Sequence, residues 1–276
     1  MNQIYKTPEL FLTKTNHNYP PNNFMVFEEF FFNKFKNETR VTNIKYLPVQ
    51  WTCFYISRNY LSDPTEDLQQ FLNEVPSNEK LFTVVQWDDG IRHNISNLNL
   101  YSFASGGIGD YPIPLICCPV EKIERPRDIF ASFIGVIGGR HDIREQLYGA
   151  VHNKEGFILK ERTNYEDFKQ TMEKSIFSLC PRGYGRTSFR ICESLNLGSI
   201  PVYIYDTPWI PFQDLVDFNS YGVLVHQSEI NKIGEILHSY NEDDIKRLQE
   251  NGKKVFEELY TYEGCYENII KKLVNL

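Results

Sequence analysis

Residues 175–205 read S-I-F-S-L-C-P-R-G-Y-G-R-T-S-F-R-I-C-E-S-L-N-L-G-S-I-P-V-Y-I-Y, in which two apolar runs flank a more polar stretch. The runs at 176–179 and 200–205 predict strands, because both are short and apolar. The stretch 188–197 predicts a helix, since its apolar residues recur at helical spacing. Two strands joined through a helix indicate a βαβ unit with a parallel sheet.

The pattern extends in both directions from this unit. Upstream, residues 129–137 predict a strand, and residues 142–148 and 165–175 predict helices. Downstream, Asn241 precedes three acidic residues and predicts the N-cap of a further helix. The first half of the chain also alternates between strands and helices, with a helical pattern at 66–75 and apolar runs at 41–46, 51–56 and 81–87. The predicted fold class is therefore α/β.

Residues 182–187 connect the first of these strands to the helix and contain two glycines and two arginines. Glycine lets the backbone approach a ligand closely, and the free amides of a helix N-terminus favour an anion. Arg182 and Arg186 can add bidentate contacts to phosphate oxygens. The stretch predicts an anion site at the start of a helix that has Thr187 as N-cap and Gly198 just beyond its end. A plain turn with solvated arginines is the alternative.

Two kinds of phosphate ligand compete for this loop once a Walker loop is excluded by the absence of G-K-[ST]. Residues 183–188 read G-x-G-x-x-S, close to the dinucleotide fingerprint, and Asp206 follows the next strand where a ribose-binding acid would lie. An NAD-dependent oxidoreductase therefore stays open at this point. Glu193 has no role in that scheme, and the simplest interpretation of Arg190 and Glu193 is a surface ion pair.

The composition limits the classes of function. The chain has 276 residues and 41% hydrophobic residues, which suits a soluble globular protein of one or two domains. Its net charge of -7 argues against nucleic acid as a partner, because phosphate backbones attract basic domains. No stretch approaches the ~18 apolar residues of a membrane span, and the first residues lack the apolar core of a signal peptide. We therefore expect no membrane span and a cytoplasmic location.

The cysteines and histidines are expected to be structural. Six cysteines are spread along the chain without a C-x-x-C pair, so we expect buried reduced thiols rather than zinc or redox chemistry. His93, His141 and His226 fit structural roles better than that of a base, although His141 lies beside Arg140 in the sequence.

Three further stretches belong with the run 175–205: P-W-I-P-F at 208–212, F-I-G-V-I-G-G-R-H-D-I-R-E-Q-L at 133–147, and the positions Tyr165, Met172 and Ser175. In these stretches the chain resembles the exostosin-like family of glycosyltransferases. The resemblance covers residues 127–230 well and the first half loosely. It implies a GT-B architecture, in which two Rossmann-like domains face each other across a cleft and the C-terminal one binds a nucleotide sugar.

The resemblance also implies how the donor is bound. Glu193 would accept hydrogen bonds from the ribose hydroxyls, while arginines and the helix start would bind the diphosphate. The donor is expected to be a UDP-sugar, with UDP-xylose favoured on family grounds, and the acceptor to be an oligosaccharide or glycan. The implied donor-binding residues are Arg140, Arg144, Arg182, Gly183, Gly185, Arg186, Thr187, Ser188, Arg190 and Glu193.

By the same resemblance the reaction inverts the anomeric carbon and needs no metal or other cofactor, because fixed arginines and helix amides can neutralise the leaving diphosphate. Asp88 and Asp89 lack the D-x-D spacing with which the other common glycosyltransferase fold holds a metal. Usual Golgi members carry a membrane anchor. Since none is apparent here, we expect a microbial or viral glycosylation system, in the host cytoplasm if viral.

A single displacement needs a base, which we expect from the N-terminal half. Asp88 and Asp89 follow an apolar strand, at the end where α/β sheets bind ligands, and Asp110 is the reserve candidate. The alternative is that Asp88, Asp89 and Gly90 simply form a turn. Some aromatic side chains of this half could stack on acceptor sugars, although such residues are more often core: Trp51, Tyr55, Trp87 and Tyr101.

The predicted organisation has three segments. An N-terminal acceptor-binding Rossmann-like domain spans 1–126, a C-terminal nucleotide-sugar-binding domain spans 127–255, and a helix at 256–276 can pack back on the first domain. A non-catalytic nucleotide-sugar or glycan-binding protein is the alternative to an enzyme, and an NAD-dependent oxidoreductase is the further alternative.

Overall fold

The chain divides into two compact units, each built on one parallel sheet. The computed structural model describes residues 3–12 and 25–276. The N-terminal unit comprises Met1–Ile113 and Tyr262–Leu276, and the C-terminal unit comprises Pro114–Thr261. Because every strand pair in both sheets is parallel and helices connect them, the predicted α/β class with two Rossmann-like domains is confirmed.

The boundary between the units falls after Ile113 rather than after Pro126. Residues 114–126 belong with the C-terminal unit because Glu173, which is buried, accepts hydrogen bonds from the Ile123 amide at 2.8 Å and the Arg125 Nε at 2.9 Å. The polar composition around Pro126 is therefore that of a segment fixed to the surface of the C-terminal unit, and not of a link between domains.

The N-terminal unit contains a four-stranded sheet in which the strands follow in chain order. Its strands are β1 (Lys45–Tyr46), β2 (Lys80–Val85), β3 (Asn99–Ala104) and β4 (Tyr111–Pro112). Its helices are α1 (Phe27–Phe35), α2 (Trp51–Ser57), α3 (Glu66–Glu74) and the last helix of the chain, α9 in chain order (Tyr262–Val274). The predicted C-terminal segment thus begins inside another helix, and only its last part, from Tyr262 onward, belongs to this unit.

The apolar run at 51–56 forms helix α2 and not a strand. Trp51, Phe54 and Tyr55 are all buried, so no polar face interrupts the run. Periodicity cannot separate a fully buried helix from a buried strand, which is why the sequence left this element undefined. The Trp51 indole donates a hydrogen bond to the Thr83 hydroxyl of β2 at 2.8 Å, so the helix packs directly on the sheet.

The C-terminal unit contains a five-stranded parallel sheet. Its strands are β5 (Ile129–Ile134), β6 (Phe157–Lys160), β7 (Ser175–Pro181), β8 (Ile200–Tyr205) and β9 (Val223–His226), in the order β6-β5-β7-β8-β9. Its helices are α4 (Ile143–Val151), α5 (Tyr165–Lys174), α6 (Phe189–Leu197), α7 (Ile233–His238) and α8 (Glu242–Leu259). The central strands are buried on both faces, as parallel sheets between helices require.

Most predicted elements of this unit are confirmed to within a few residues, and three were missed: β6, β9 and the six-residue helix α7. β8 has the predicted bounds, whereas β5 ends at Ile134 because Gly135 opens the loop that leads to α4. The strands β6 and β9 are only four residues long, which gave too little pattern to detect. Gly198 ends α6 in the left-handed region with φ 76°, and Asn241 forms a capping box with Asp244 at the start of α8, as predicted.

None of the six cysteines, all of which lie within the described residues, forms a disulfide, and Cys118 alone among them is not buried. Within the described ranges, 3–12 and 25–276, no helix combines the length and the apolar character that crossing a bilayer requires.

Candidate functional site

The glycine loop leaves the carboxyl end of β7 and is organised by Arg182. The Arg182 guanidinium donates to the carbonyls of Tyr184 and Gly185, both at 3.0 Å. Its Nη1 reaches both carboxylate oxygens of Asp206, at 2.7 and 2.6 Å, just after β8. Because Arg182 is only 8% exposed and these bonds occupy its guanidinium, we assign it to shaping the loop rather than to direct contact with a diphosphate.

Helix α6 starts one residue later than predicted. Ser188, and not Thr187, is the N-cap, since its hydroxyl accepts a hydrogen bond from the Arg190 amide at 3.3 Å. Thr187 is buried, and its carbonyl accepts from the Gly183 amide at 3.0 Å, which closes the loop on itself. Serine and threonine are both good N-caps, so the sequence could not decide between neighbours. The Arg186 carbonyl accepts from the Tyr203 hydroxyl, which ties the loop to β8.

A cavity of about 170 Å³ lies where the loops after β5 and β7 meet. It brings together the predicted donor residues Arg140, Arg144, Arg182 and Gly183. The rest of its lining is Val136, Gly138, Gly139, His141 and Tyr184. The other predicted donor residues do not line this cavity: Gly185, Arg186, Thr187, Ser188, Arg190 and Glu193. The glycines leave room in the lining, since a Cβ on Gly139 would meet no atom within 4 Å.

Arg144 is the cavity arginine that the fold holds most directly towards the loop. Its Nε donates to the Arg182 carbonyl at 3.3 Å, and its Nη1 donates to the Val136 carbonyl at 3.1 Å. Burial, together with the nearby charge of Arg190, lowers the pKa of Arg144. Both causes penalise the cation, so an anion bound beside Arg144 would relieve them. The cavity is therefore electrostatically suited to a phosphate group.

Arg190 and Glu193 lie on one face of α6 and are partly buried. The Arg190 Nε is 3.8 Å from a Glu193 carboxylate oxygen, and the two side chains are 16% and 25% exposed. The Arg190 guanidinium also lies 5.0 Å from the ring centre of Phe133 and 5.3 Å from that of Phe168. Burial raises the pKa of Glu193, while Arg190 opposes that shift. The predicted ion pair exists, but its arginine lies against two aromatic rings and both side chains are partly buried rather than on a solvated surface.

Asp88 and Asp89 lie in the loop that follows β2, in a turn closed by the Gly90 amide, which donates to the Trp87 carbonyl at 3.0 Å. A turn is therefore present, and both aspartates are half-buried. The loop after β3 packs against this turn so closely that a Cβ on Gly106 would lie 2.0 Å from the Trp87 carbonyl oxygen. Neighbouring backbone thus fixes the position of the two aspartates, and their role as base stays a prediction.

Asp110, the reserve base, has a structural role. One of its carboxylate oxygens accepts from both the amide and the hydroxyl of Ser102, each at 2.7 Å. Ser102 lies within β3, before its carboxyl end, so Asp110 fastens the start of β4 beside that strand. An acid that belongs to strand pairing is a poor candidate for proton transfer at the ligand-binding edge of the sheet.

Sequence reasoning missed Glu28, a carboxylate fully enclosed in the N-terminal unit. It accepts hydrogen bonds from the Gln86 amide at 2.6 Å and from the amide and hydroxyl of Thr52 at 2.9 and 2.7 Å. Burial raises its pKa from 4.5 to about 7. The sequence signal that could have indicated its burial is the position of an acid within the aromatic-rich stretch from Phe27 to Phe35. Glu28 holds Gln86, the residue before Trp87, Asp88 and Asp89.

The C-terminal unit is thus an α/β domain in which a loop rich in glycine and arginine precedes a helix N-terminus. Residues 112–240 match the model of the Exostosin GT47 domain. Over these residues, slightly less than half of the chain, the protein is similar to the exostosin-like glycosyltransferase family.

Curated relatives are similar to this chain over half of its length or less. A rice (Oryza sativa subsp. japonica) protein named probable glucuronosyltransferase is 33% identical over 139 residues, which is 46% of this chain and 31% of that protein. The Exostosin-1 homolog of Caenorhabditis elegans is 33% identical over 160 residues, covering 50% of this chain and 42% of its own length. The chain thus spans less than half of these relatives.

Among solved structures, TarM has a TM-score of 0.46 and 10% sequence identity, covering 76% of this chain and 53% of its own. The Anabaena protein Alr3699/HepE, solved in complex with UDP-glucose, has a TM-score of 0.41 and 12% identity, covering 85% and 79%. At these values neither likeness bears on the site.

Proposed function

We propose that this protein transfers a sugar from a UDP-sugar to a hydroxyl group of a glycan acceptor, inverting the anomeric carbon in a single displacement. The observation that carries the proposal is the cationic cavity formed by the loops after β5 and β7, which lies within the residues matched by the exostosin domain model. Its arginines and its glycine loop provide the features that a leaving diphosphate requires.

Charge explains why these residues favour the reaction. As the bond between sugar and diphosphate breaks, negative charge grows on the leaving oxygens. Arg144 and the amides at the start of α6 are fixed by the fold before the substrate binds, so they stabilise this charge without reorganising. Cations held in this way can supply the electrostatic stabilisation that a metal supplies in other enzymes, and we propose a metal-independent reaction.

The size of the cavity suits one part of the donor. At about 170 Å³ it is smaller than the ~300 Å³ or more of a pocket that holds a whole drug-sized ligand. We infer that it takes the diphosphate, while Glu193 and Arg190 lie further along α6 and would bind the ribose. A carboxylate can accept hydrogen bonds from both ribose hydroxyls. Arg190 would hold Glu193 ionised against the burial that raises its pKa.

The identity of the sugar has two candidates. UDP-xylose is the donor that the family resemblance favoured. UDP-glucuronic acid gains support from the rice relative and from an Arabidopsis thaliana protein that is 27% identical over 139 residues, since their names describe probable glucuronosyltransferases. An additional arginine in the cavity lining, Arg140, would suit the extra carboxylate of glucuronic acid.

The oxidoreductase alternative loses its main support. Asp206 would bind the ribose of NAD in that scheme, but both of its carboxylate oxygens accept from Arg182 and one also accepts from the Thr207 amide at 2.6 Å. A ribose would have to displace a buried arginine that shapes the loop. This observation favours a nucleotide sugar bound through Glu193 over a dinucleotide bound through Asp206.

A thermal-shift panel tests the proposal first. UDP, UDP-xylose, UDP-glucuronic acid, UDP-glucose and NAD would each be added with and without EDTA, because a ligand of the folded state raises its melting temperature by mass action. We expect a UDP shift that survives EDTA and is lost in Glu193→Ala. A shift with NAD alone would overturn the proposal.

Turnover separates an enzyme from a binding protein. We expect UDP release from the preferred donor, with loss of turnover but retained UDP binding in Asp88→Asn or Asp89→Asn. If neither variant affects turnover, the base is elsewhere. If no glycan acceptor supports turnover although UDP binds, the non-catalytic alternative holds.

A further inference from the structure

One exposed aromatic ring lies against Trp87 at the ligand-binding edge of the N-terminal unit. Tyr60 is 56% exposed, and its ring centre is 6.1 Å from that of Trp87 with 36° between the planes. Trp51 and Tyr55, which the sequence also offered as stacking residues, are fully buried, and Tyr101 stacks on Tyr111. The accessible aromatic surface beside Asp88 and Asp89 therefore belongs to a residue that the sequence had not singled out.

Trp87 packs against Tyr55, whose own position is fixed by hydrogen bonds. Its ring meets the edge of Tyr55 with 5.4 Å between centres, and the Tyr55 hydroxyl contacts the His93 Nδ1 at 3.1 Å and accepts from the Arg92 amide at 3.0 Å. The His93 Nε2 contacts the Thr65 carbonyl at 3.2 Å, and burial lowers the pKa of His93. This histidine is thus a satisfied structural residue, as expected. Through its contact with the Tyr55 hydroxyl, it helps to fix the ring against which Trp87 packs.

The backbone that presents Tyr60 is strained. Asn59, Tyr60 and Leu61 all have positive φ, at 48°, 55° and 70°. The left-handed region costs roughly 1–2 kcal/mol for each non-glycine residue. Three consecutive residues of this kind persist only where the surroundings enforce them, and such strain concentrates at ligand-binding and active sites. The strained segment thus carries a large aromatic side chain that is exposed to solvent.

A third observation concerns the indole N–H of Trp87, which is buried and has no hydrogen-bond partner. A buried donor that lacks a protein partner is available to a hydroxyl of a bound ligand. Aspartates follow immediately in the chain, and Ile108, 46% exposed, lies in the neighbouring loop that touches Gly90. Apolar surface and carboxylates thus adjoin at one edge of the sheet.

We propose that Tyr60 and Trp87 form a platform that stacks on one sugar ring of the acceptor glycan. This inference rests on the proposed function and names the residues that hold its second substrate. A pyranose ring presents an apolar face of C–H groups and a rim of hydroxyls, which matches an exposed aromatic surface bordered by carboxylates. A phosphate-bearing ligand would be repelled by Asp88 and Asp89. Stacking here would place acceptor hydroxyls beside those carboxylates.

Direct binding of saccharides tests the platform without requiring turnover. Xylohexaose, cellohexaose and a heparosan hexasaccharide would be titrated into the full chain, with calorimetry and tryptophan emission as readouts. We expect at least one to bind, and Tyr60→Ala to weaken that binding about tenfold, equivalent to about 1.4 kcal/mol. Tyr60→Phe should bind like the unaltered protein, because the stacking ring remains. Tyr101→Ala is the matched control and should bind normally.

Trp87 supplies a second variant with its own readout. Trp87→Phe should abolish the change in emission on saccharide binding, whereas the other two tryptophans, Trp51 and Trp209, would still emit. With an active donor, Tyr60→Ala should raise the acceptor KM and leave the donor KM unchanged.

The platform is overturned if no saccharide in the panel binds, or if Tyr60→Ala binds as tightly as the unaltered protein. The UDP shift in the same variants keeps the two proposals apart. A normal UDP shift without saccharide binding removes the platform alone, and saccharide binding without a UDP shift removes the donor proposal alone.

Discussion

The loop after β7 in the C-terminal unit and the loop after β2 in the N-terminal unit occupy equivalent positions in their sheets but are held by opposite means. Arg182 fixes the first through its guanidinium, which contacts two loop carbonyls and Asp206. The second is fixed by bare backbone, because Gly106 leaves no room for a Cβ beside Trp87 and Asp88. Arg182 lies within the loop that it holds, so the local sequence shows it. The loop after β2 is held by backbone next to Gly106, which lies in a different loop of the sequence.

Among the variants that test this comparison, Gly106→Ala is expected to have the largest effect. The new Cβ would lie 2.0 Å from the Trp87 carbonyl oxygen and 2.5 Å from the Asp88 Cα, so one loop must move. Misplacing a catalytic group by about 1 Å can cost about 100-fold in rate, and overpacking typically costs about 1–3 kcal/mol of stability. We expect turnover to fall at least this far while UDP still raises the melting temperature.

The matched control is Gly149→Ala in α4, where a Cβ would meet nothing within 4 Å. It should stabilise the protein by up to about 1 kcal/mol, because alanine favours a helix over glycine. Unchanged turnover in Gly106→Ala would mean that the position of Asp88 does not matter for the reaction.

Glu28→Gln tests whether the protonation of Glu28, which bonds to Gln86 next to the loop after β2, affects stability. Between pH 4.5 and about 7 the folded state keeps a proton on Glu28 that the unfolded chain has released. The free energy of unfolding should therefore fall as pH rises through this window, by a total of about 3 kcal/mol at ~1.4 kcal/mol per pKa unit. The variant should lack this dependence, as measured by urea unfolding at several pH values. Glu29→Gln, a half-buried neighbour on α1, is the control and should retain it.

Arg144→Gln separates ligand binding from loop architecture in the C-terminal unit. A charge-assisted hydrogen bond is worth about 1.5–3 kcal/mol, so UDP affinity should fall at least tenfold. Stability should change little, because burial already penalises the cation. Calorimetric titration of UDP measures the effect, and Arg162→Gln, at an exposed arginine outside the cavity lining, should bind UDP normally. Equal UDP affinity in both variants would contradict the anion site.

Asp206→Asn gives the smallest expected effect and removes the ion pair between Asp206 and Arg182. Removing one partner of a buried ion pair costs about 3–5 kcal/mol, but the Asp206 side chain is 31% exposed, which reduces the expected loss to about 1–2 kcal/mol. Urea unfolding should show this loss together with a weaker UDP shift. A variant with normal stability would show that the loop keeps its shape without Arg182 bound to Asp206.

The sequence predicted much of the C-terminal unit because its signals are local. The strand at 200–205, the left-handed Gly198 and the Asn241 cap each depend on residues within a few positions. The N-terminal unit was less predictable, since α2 is buried on all sides and β1 and β4 have only two residues each.

For the candidate site, four of the predicted donor residues line one cavity, but the sequence did not show what each of them contacts. Arg182 looked like a phosphate ligand and instead binds Asp206, because a spacing of residues does not show where a guanidinium points. Glu28 and Tyr60 were missed for a related reason. Whether an acid is buried or a tyrosine exposed depends on long-range packing, which no local pattern reports.

The division of the chain into units also sets the order in which its cores can form during translation. The C-terminal unit is one continuous segment, but the N-terminal unit needs α9, whose Tyr262 and Tyr266 pack on Phe27 and Phe31 with ring centres 5.6 and 5.0 Å apart. The ribosome makes α9 only after the whole C-terminal unit. The N-terminal unit, which is made first, therefore completes its core last, because it lacks these aromatic partners until α9 is made, whereas the C-terminal unit can already fold.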